Sequence, residues 1–142
     1  MTDVLREFTQ YVNFVKEAHE KKFKKRAGPQ VRIFDKSTFY AVHPIWCACT
    51  ILQEPNLKEE IRKYGALTLL FHDILEDTSE KLPKDLPNKV KKWVKEITFE
   101  THQESREKIW KKEPVIRLLK LYDSTNNLLD SFTWQTKEKK RG

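Results

Sequence analysis

Ala66-Leu67-Thr68-Leu69-Leu70-Phe71 is apolar on all sides of a helical wheel. A helix of that kind has to be buried, so the run predicts a central helix, from Leu57 to about Leu75, that the rest of the chain surrounds. Its first half, with Glu59, Glu60, Arg62 and Lys63, is amphipathic. The apolar half ends in Phe71-His72-Asp73-Ile74-Leu75-Glu76-Asp77-Thr78, where four of six consecutive residues from His72 ionise. Burying charge without a partner is costly, so these groups call for a shared cation or a solvent cleft.

The surrounding elements are also helical in pattern. Val4, Phe8, Tyr11, Val12 and Val15 predict a first helix from Thr2 to about Lys22, followed by the basic stretch Lys21–Arg26 and Ala27-Gly28-Pro29. Gln30–Tyr40 reads as a loop or short extended segment. A second helix opens near His43-Pro44 and stops before Pro55, with proline suited to its first turn. A loop from Thr78 to Pro87 leads to a helix marked by Val90, Trp93, Val94 and Ile97. A short charged helix over Gln103–Lys112 and a sixth over Val115–Leu129 follow, separated at Pro114. Three glycines and six prolines are too few for a turn-rich β-sandwich. The expected fold is an all-α bundle of about six helices in one domain, residues 1–131, with a basic tail over 132–142 that frays from Lys137 to Gly142.

Composition bounds the partners. Lys and Arg number 28 against 21 Asp and Glu, a net charge of +7, which favours an anionic partner such as a nucleotide, a nucleic acid or a lipid surface. No apolar run approaches the roughly 20 residues that span a bilayer, and no signal-peptide core follows Met1. Cys47 and Cys49 stand too close on one helix for a structural disulfide. A reduced, cytoplasmic setting is expected.

Helix geometry puts Glu76 one turn beyond His72 and Asp77 one turn beyond Asp73. The layout suits a metal with an acid/base group beside it. An ordinary helix end with solvated acids is the other reading. His43, in Tyr40-Ala41-Val42-His43-Pro44, and Asp123, inside the apolar Leu118–Tyr122 stretch, add two more groups of ligand type.

The order His, His-Asp, distant Asp resembles the HD-domain metal-dependent phosphohydrolases. His72-Asp73-x-x-Glu76-Asp77-Thr78 is similar to the HDxxEDT motif of their RelA/SpoT-type members, which remove the 3′-pyrophosphate of guanosine tetra- and pentaphosphate. Tyr40-x-x-His43-Pro44, Trp93–Thr98 and Leu119–Leu128 resemble that family's flanking blocks in order, so the likeness runs from about Phe8 to Asp130. The size is similar to that of the small stand-alone members, which are also associated with NADPH 2′-phosphatase activity. Lys24 stands where the family usually has arginine, and so does Leu129. The loop to Tyr40, with Arg32 and Lys36, is longer than usual.

The resemblance implies a metal held by His43, His72, Asp73 and Asp123, with Glu76 and Asp77 orienting and deprotonating the attacking water. Mixed nitrogen and oxygen ligation suits Mn²⁺, Fe²⁺ or Zn²⁺ better than Mg²⁺, and the family points to Mn²⁺. Lys24, Lys25 and Lys120 are candidates for phosphate groups, Tyr40 for stacking on or hydrogen-bonding a nucleotide. Asn127 shares a helical face with Lys120 and Asp123. The expected activity is a (p)ppGpp hydrolase, with an HD phosphatase acting on NADPH or another nucleotide as an alternative. A basic nucleic-acid-binding module is the alternative of a different class, although no DNA-reading motif is present.

Overall fold

The computed structural model describes the backbone of residues 2–141 and the side chains of residues 6–131. The fold is all-α. Among the described residues seven helices follow one another: α1 (Thr2–Lys21), α2 (Val42–Leu52), α3 (Glu59–Phe71), α4 (Ile74–Asp77), α5 (Asn88–Ile97), α6 (His102–Lys108) and α7 (Pro114–Arg141). A 3₁₀ turn over Ile109–Lys111 joins the last two. Among the described residues, extended pairing is limited to two isolated bridges, Phe23 with Thr78 and Val31 with Phe39. No helix there is long and apolar enough to cross a membrane.

The central helix is α3. Every residue from Gly65 to Phe71 is buried, and α1, α2, α5 and α7 all pack on it. Tyr11 meets the Phe71 ring edge-on, centroids 5.4 Å apart, and Phe14 lies 5.9 Å away. Helix α5 turns Val90, Trp93, Val94 and Ile97 inward, and α7 contributes Ile116 and Leu119. Gly65 is where three helices meet: a Cβ there would stand 2.9 Å from Ile51 Cδ1 and 3.0 Å from Leu119 Cδ2.

Three helices differ from the periodicity at an end. The helix expected to continue to Leu75 ends at Phe71. The His72 N–H bonds to the Leu69 carbonyl, three residues back, at 3.4 Å, and Asp73 turns to φ −102°, ψ −1°. The apolar periodicity continues through Ile74 and Leu75, so it does not mark this break. Helix α1 ends at Lys21, where the periodicity placed its end, and leaves most of the basic stretch outside it. Helix α6 ends at Lys108 rather than Lys112. Thr101 caps its start, accepting the Glu104 N–H at 3.1 Å. Helix α7 begins at Pro114, and its backbone stays helical past Leu129 to Arg141. Fraying was expected from Lys137, where the backbone is instead helical as far as Arg141.

Between α1 and α2 the chain forms a narrow strap. Gln30 N–H bonds to the His19 carbonyl at 3.0 Å, Tyr40 N–H to the Gln30 carbonyl at 2.9 Å, and Arg32 N–H to the Thr38 carbonyl at 2.8 Å. Its turn includes Lys36 at φ 59°, with Asp35 Oδ1 accepting the N–H groups of Ser37 and Thr38. Side chains alternate along such a segment. Gln30 and Arg32 are buried, whereas Ile33 is 79% exposed.

Candidate metal centre

Three helices deliver the ligand-type groups. His43 comes from the first turn of α2, His72 from the break after α3 and Asp123 from the middle of α7. All three are buried. One ligand atom from each lies within 4.8 Å of the others. His43 Nε2 is 2.7 Å from Asp123 Oδ1, and His72 Nε2 is 3.2 Å from the same oxygen. Asp73 stands at the edge of this trio, its Oδ2 3.0 Å from His72 Nε2.

The far side of each imidazole sets what the near side offers. His72 Nδ1 faces the Leu69 carbonyl at 2.5 Å, a partner that only accepts, so Nδ1 carries the hydrogen. His43 Nδ1 faces Asn126 Oδ1 at 2.5 Å, which asks the same of it. In their neutral forms both rings therefore turn a bare Nε2 toward Asp123. Two nitrogen lone pairs and a carboxylate crowded together need a cation among them. Donor atoms sharing one ion with bonds of about 2.1 Å stand about 3 to 3.5 Å apart, close to the contacts found here. The residues fit a divalent metal.

Without a metal, the neighbouring carboxylates favour a proton on His72. Burial pushes His72 down, but the Asp73 and Asp123 carboxylates outweigh it and hold the imidazole well above its ordinary value. Burial likewise pushes Asp123 up, and is overcome by His72, by the His43 hydrogen bond and by Lys120, so it lies well below the usual carboxylate range. Lys120 Nζ sits 2.8 Å from Asp123 Oδ2. Asn127 Nδ2 donates to Oδ1 at 3.3 Å, while Asn127 Oδ1 accepts from Arg32 at 2.7 Å. Arg32 also pairs with Asp130 at 2.9 Å.

Beside this trio lie the two further acids. Glu76 is half-buried, and burial, then Asp73 and Asp77, raise its pKa. Asp77 is raised by burial and Asp73, against the pull of the Gln30 hydrogen bond and Lys25. Gln30 Nε2 donates to Asp77 Oδ2 at 3.0 Å, and Lys25 Nζ is 3.6 Å from Oδ1. Both acids line a cleft of about 1060 Å³. His72, Asp73 and Asp123 open into it. Arg26, Arg32, Lys36 and Arg106 add positive charge, and Phe23, Ile33, Phe34 and Phe99 add apolar wall.

The remaining sequence candidates divide. Lys25, Tyr40, Lys120 and Asn127 line the cleft. Tyr40 gives its hydroxyl to Asp73 Oδ2, and burial together with that carboxylate lifts its pKa well above the usual value. Lys24 is not in the wall. Its Nζ reaches back to the Leu75 carbonyl at 3.3 Å. His43 sits behind the wall, out of direct contact with the cleft. Sequence reasoning did not pick out Gln30 and Asn126, and noted Arg32 only as a loop residue. For Asn126 a signal existed, because it lies three residues after Asp123 on the same helical face. Gln30 and Arg32 sit in a loop without periodicity. Cys47 and Cys49 are free thiols, and burial pushes Cys47 up to about 12.

No protein-family model, curated protein or solved structure matches the chain.

Proposed function

We propose that the chain is a metal-dependent nucleotide phosphohydrolase of the HD type, acting on guanosine 3′,5′-bis(diphosphate) at its 3′-pyrophosphate. The observation that carries this reading is the pair of imidazoles whose Nδ1 atoms are both committed, leaving both Nε2 atoms facing Asp123 Oδ1 beside a basic cleft. His43, His72 and Asp123 would hold the ion, with Asp73 beside them, and Mn²⁺ is the metal we assign, Fe²⁺ and Zn²⁺ being the other candidates for such a donor set. When bound, a divalent cation polarises a phosphoryl oxygen and makes water more acidic.

The protein's own groups account for the rest. Burial, then the neighbouring Asp73 and Asp77, raise the Glu76 pKa and so make its carboxylate a stronger proton acceptor. Glu76 takes the proton from water as the water oxygen bonds to phosphorus. The bond from phosphorus to the ribose oxygen breaks, its electron pair staying on that oxygen, which then takes a proton from solvent. Lys25 and Lys120, with Arg32 and Arg106, hold phosphate charge, and the aromatic wall receives the base. A reducing, cytoplasmic setting belongs to the same reading.

The test is phosphate and pyrophosphate release from guanosine tetraphosphate and NADPH with Mn²⁺, Fe²⁺ or Zn²⁺, beside an EDTA-treated control. Metal-dependent release of pyrophosphate from guanosine tetraphosphate supports the proposal. Turnover of NADPH alone moves the assignment to a 2′-phosphatase. No turnover of either sinks the substrate assignment.

A further inference from the structure

His19 is 1% exposed, yet only one of its ring nitrogens has a partner: Nδ1 lies 2.7 Å from Gln30 Oε1. Gln30, itself 7% exposed, turns its amide nitrogen to Asp77 Oδ2 at 3.0 Å. The direction of this chain of bonds follows from chemistry. An ionised carboxylate only accepts, so the Gln30 NH₂ must donate to Asp77. The Gln30 oxygen is then left for His19, whose Nδ1 must carry the hydrogen. His19 Nε2 remains bare, buried and without a hydrogen-bond partner. Burial keeps the imidazole below its ordinary pKa, consistent with a neutral ring that cannot reverse the chain.

The backbone repeats the tie. Gln30 N–H bonds to the His19 carbonyl and Lys24 N–H to the Asp77 carbonyl, at 3.0 and 3.1 Å. A buried histidine with an orphaned nitrogen costs stability, because the nitrogen gives up water without gaining a partner. Packing alone gives no reason to keep it, since an apolar residue would fill the space. What the arrangement secures is the angle of one carboxylate. Glu76, the neighbouring acid, has no comparable partner among the described contacts.

We propose that Gln30 is a positioning residue for the phosphohydrolase reaction: anchored on His19, it orients the Asp77 carboxylate and so separates the two acids into a held anion and a proton-moving Glu76. This rests on the reading given under Proposed function. Asp77 then orients water through its held oxygen, and the unpartnered Glu76 is free to take the proton.

The test is a double-mutant cycle, because a merely structural role for Gln30 would not depend on Asp77. Gln30→Met keeps length and flexibility and removes both hydrogen bonds. We expect it to lower kcat roughly 10–100-fold, the range for residues that orient a reacting group, with KM and Mn²⁺ affinity within about twofold of wild type. In an Asp77→Asn background the same change should cost less than about twofold. An equal loss in both backgrounds, a loss confined to KM, or no loss overturns the proposal. Gln30→Glu, which keeps the shape but replaces the donor with an acceptor, serves if the methionine variant does not fold, and the same loss of kcat is expected. A second readout separates this inference from the activity it rests on. Carboxyl ¹³C titration of the full chain should show the Asp77 midpoint moving up in Gln30→Met, since a bond to the charged form is lost. An unmoved midpoint overturns the role of Gln30 even if turnover falls. A wild type without turnover, together with a moved midpoint, overturns the phosphohydrolase reading and the catalytic role with it, while leaving the hydrogen bond established.

Discussion

His43 Nε2 on α2 lies 2.7 Å from Asp123 Oδ1 on α7, although 80 residues separate them. The contact ties the second helix to the last and sets the same carboxylate oxygen against His72. If the trio is a metal site, Asp123→Ala removes the oxygen that both imidazoles share. Mn²⁺ affinity, read by calorimetry, should fall more than about hundredfold, beyond what changes around a ligand usually cost. Retained affinity would mean that the ion sits elsewhere in the cleft.

Asp73 and Glu76 should behave differently. Asp73→Ala exposes His72 Nε2 on one side and should abolish tight metal binding. Glu76→Gln should leave metal affinity intact and lower kcat by about 10²–10⁴-fold, the range for general acid–base catalysis. Equal metal loss in both variants would make Glu76 a ligand and overturn its assigned role.

The pH dependence of metal binding follows from His72. Its pKa in the metal-free protein is raised, so below that value a proton occupies the nitrogen that the metal needs. Affinity should therefore fall about tenfold per unit as pH drops below it, and level off above it. Folding of the metal-free protein has the opposite sign. The stabilisation from His72 is complete below its unfolded value near 6.5 and is lost as pH rises through the folded value. Titrations with Mn²⁺ from about pH 6 upward, paired with thermal melts in EDTA, would reveal both slopes. Affinity that stays flat across that range would mean His72 is neutral before the metal arrives.

Lys24 and Lys25 are neighbours with different partners. Lys25 faces Asp77 and lines the cleft, whereas Lys24 turns to the Leu75 carbonyl. Lys25→Ala should raise KM more than it lowers kcat, since it removes binding present in ground and transition states alike. The effect should shrink with added salt, which screens exposed charges over roughly 8 Å at physiological strength. Lys24→Ala should change KM by less than about twofold. Matching kinetics for the two variants would remove Lys25 from the substrate site.

Gly65 tests the packing that holds the site together. Gly65→Ala sets a methyl against Ile51 and Leu119, both fully buried. Overpacking costs about 1–3 kcal/mol and better helix propensity returns about 1, so a net loss of about 1 kcal/mol is expected in urea unfolding. Gly65→Val, without the propensity gain, should lose about 3 kcal/mol. A more stable alanine variant would show that the three helices have room to move apart.

Helical class, the buried status of Ala66–Phe71 and the anomaly of ionisable residues after Phe71 were legible in the amino-acid sequence alone. Periodicity reports which face of a segment avoids water, and a charged tetrad after an apolar run breaks that pattern visibly. The break at His72-Asp73 was not legible, because Ile74 and Leu75 carry the apolar pattern past it. Only the tertiary structure decided that Asp123 meets His43 and His72, that Lys25 rather than Lys24 enters the cleft, and that Gln30 reaches Asp77. Each of these depends on how separate helices cross and where a loop without periodicity folds back. Such contacts join residues far apart in the chain, and local spacing carries no record of them.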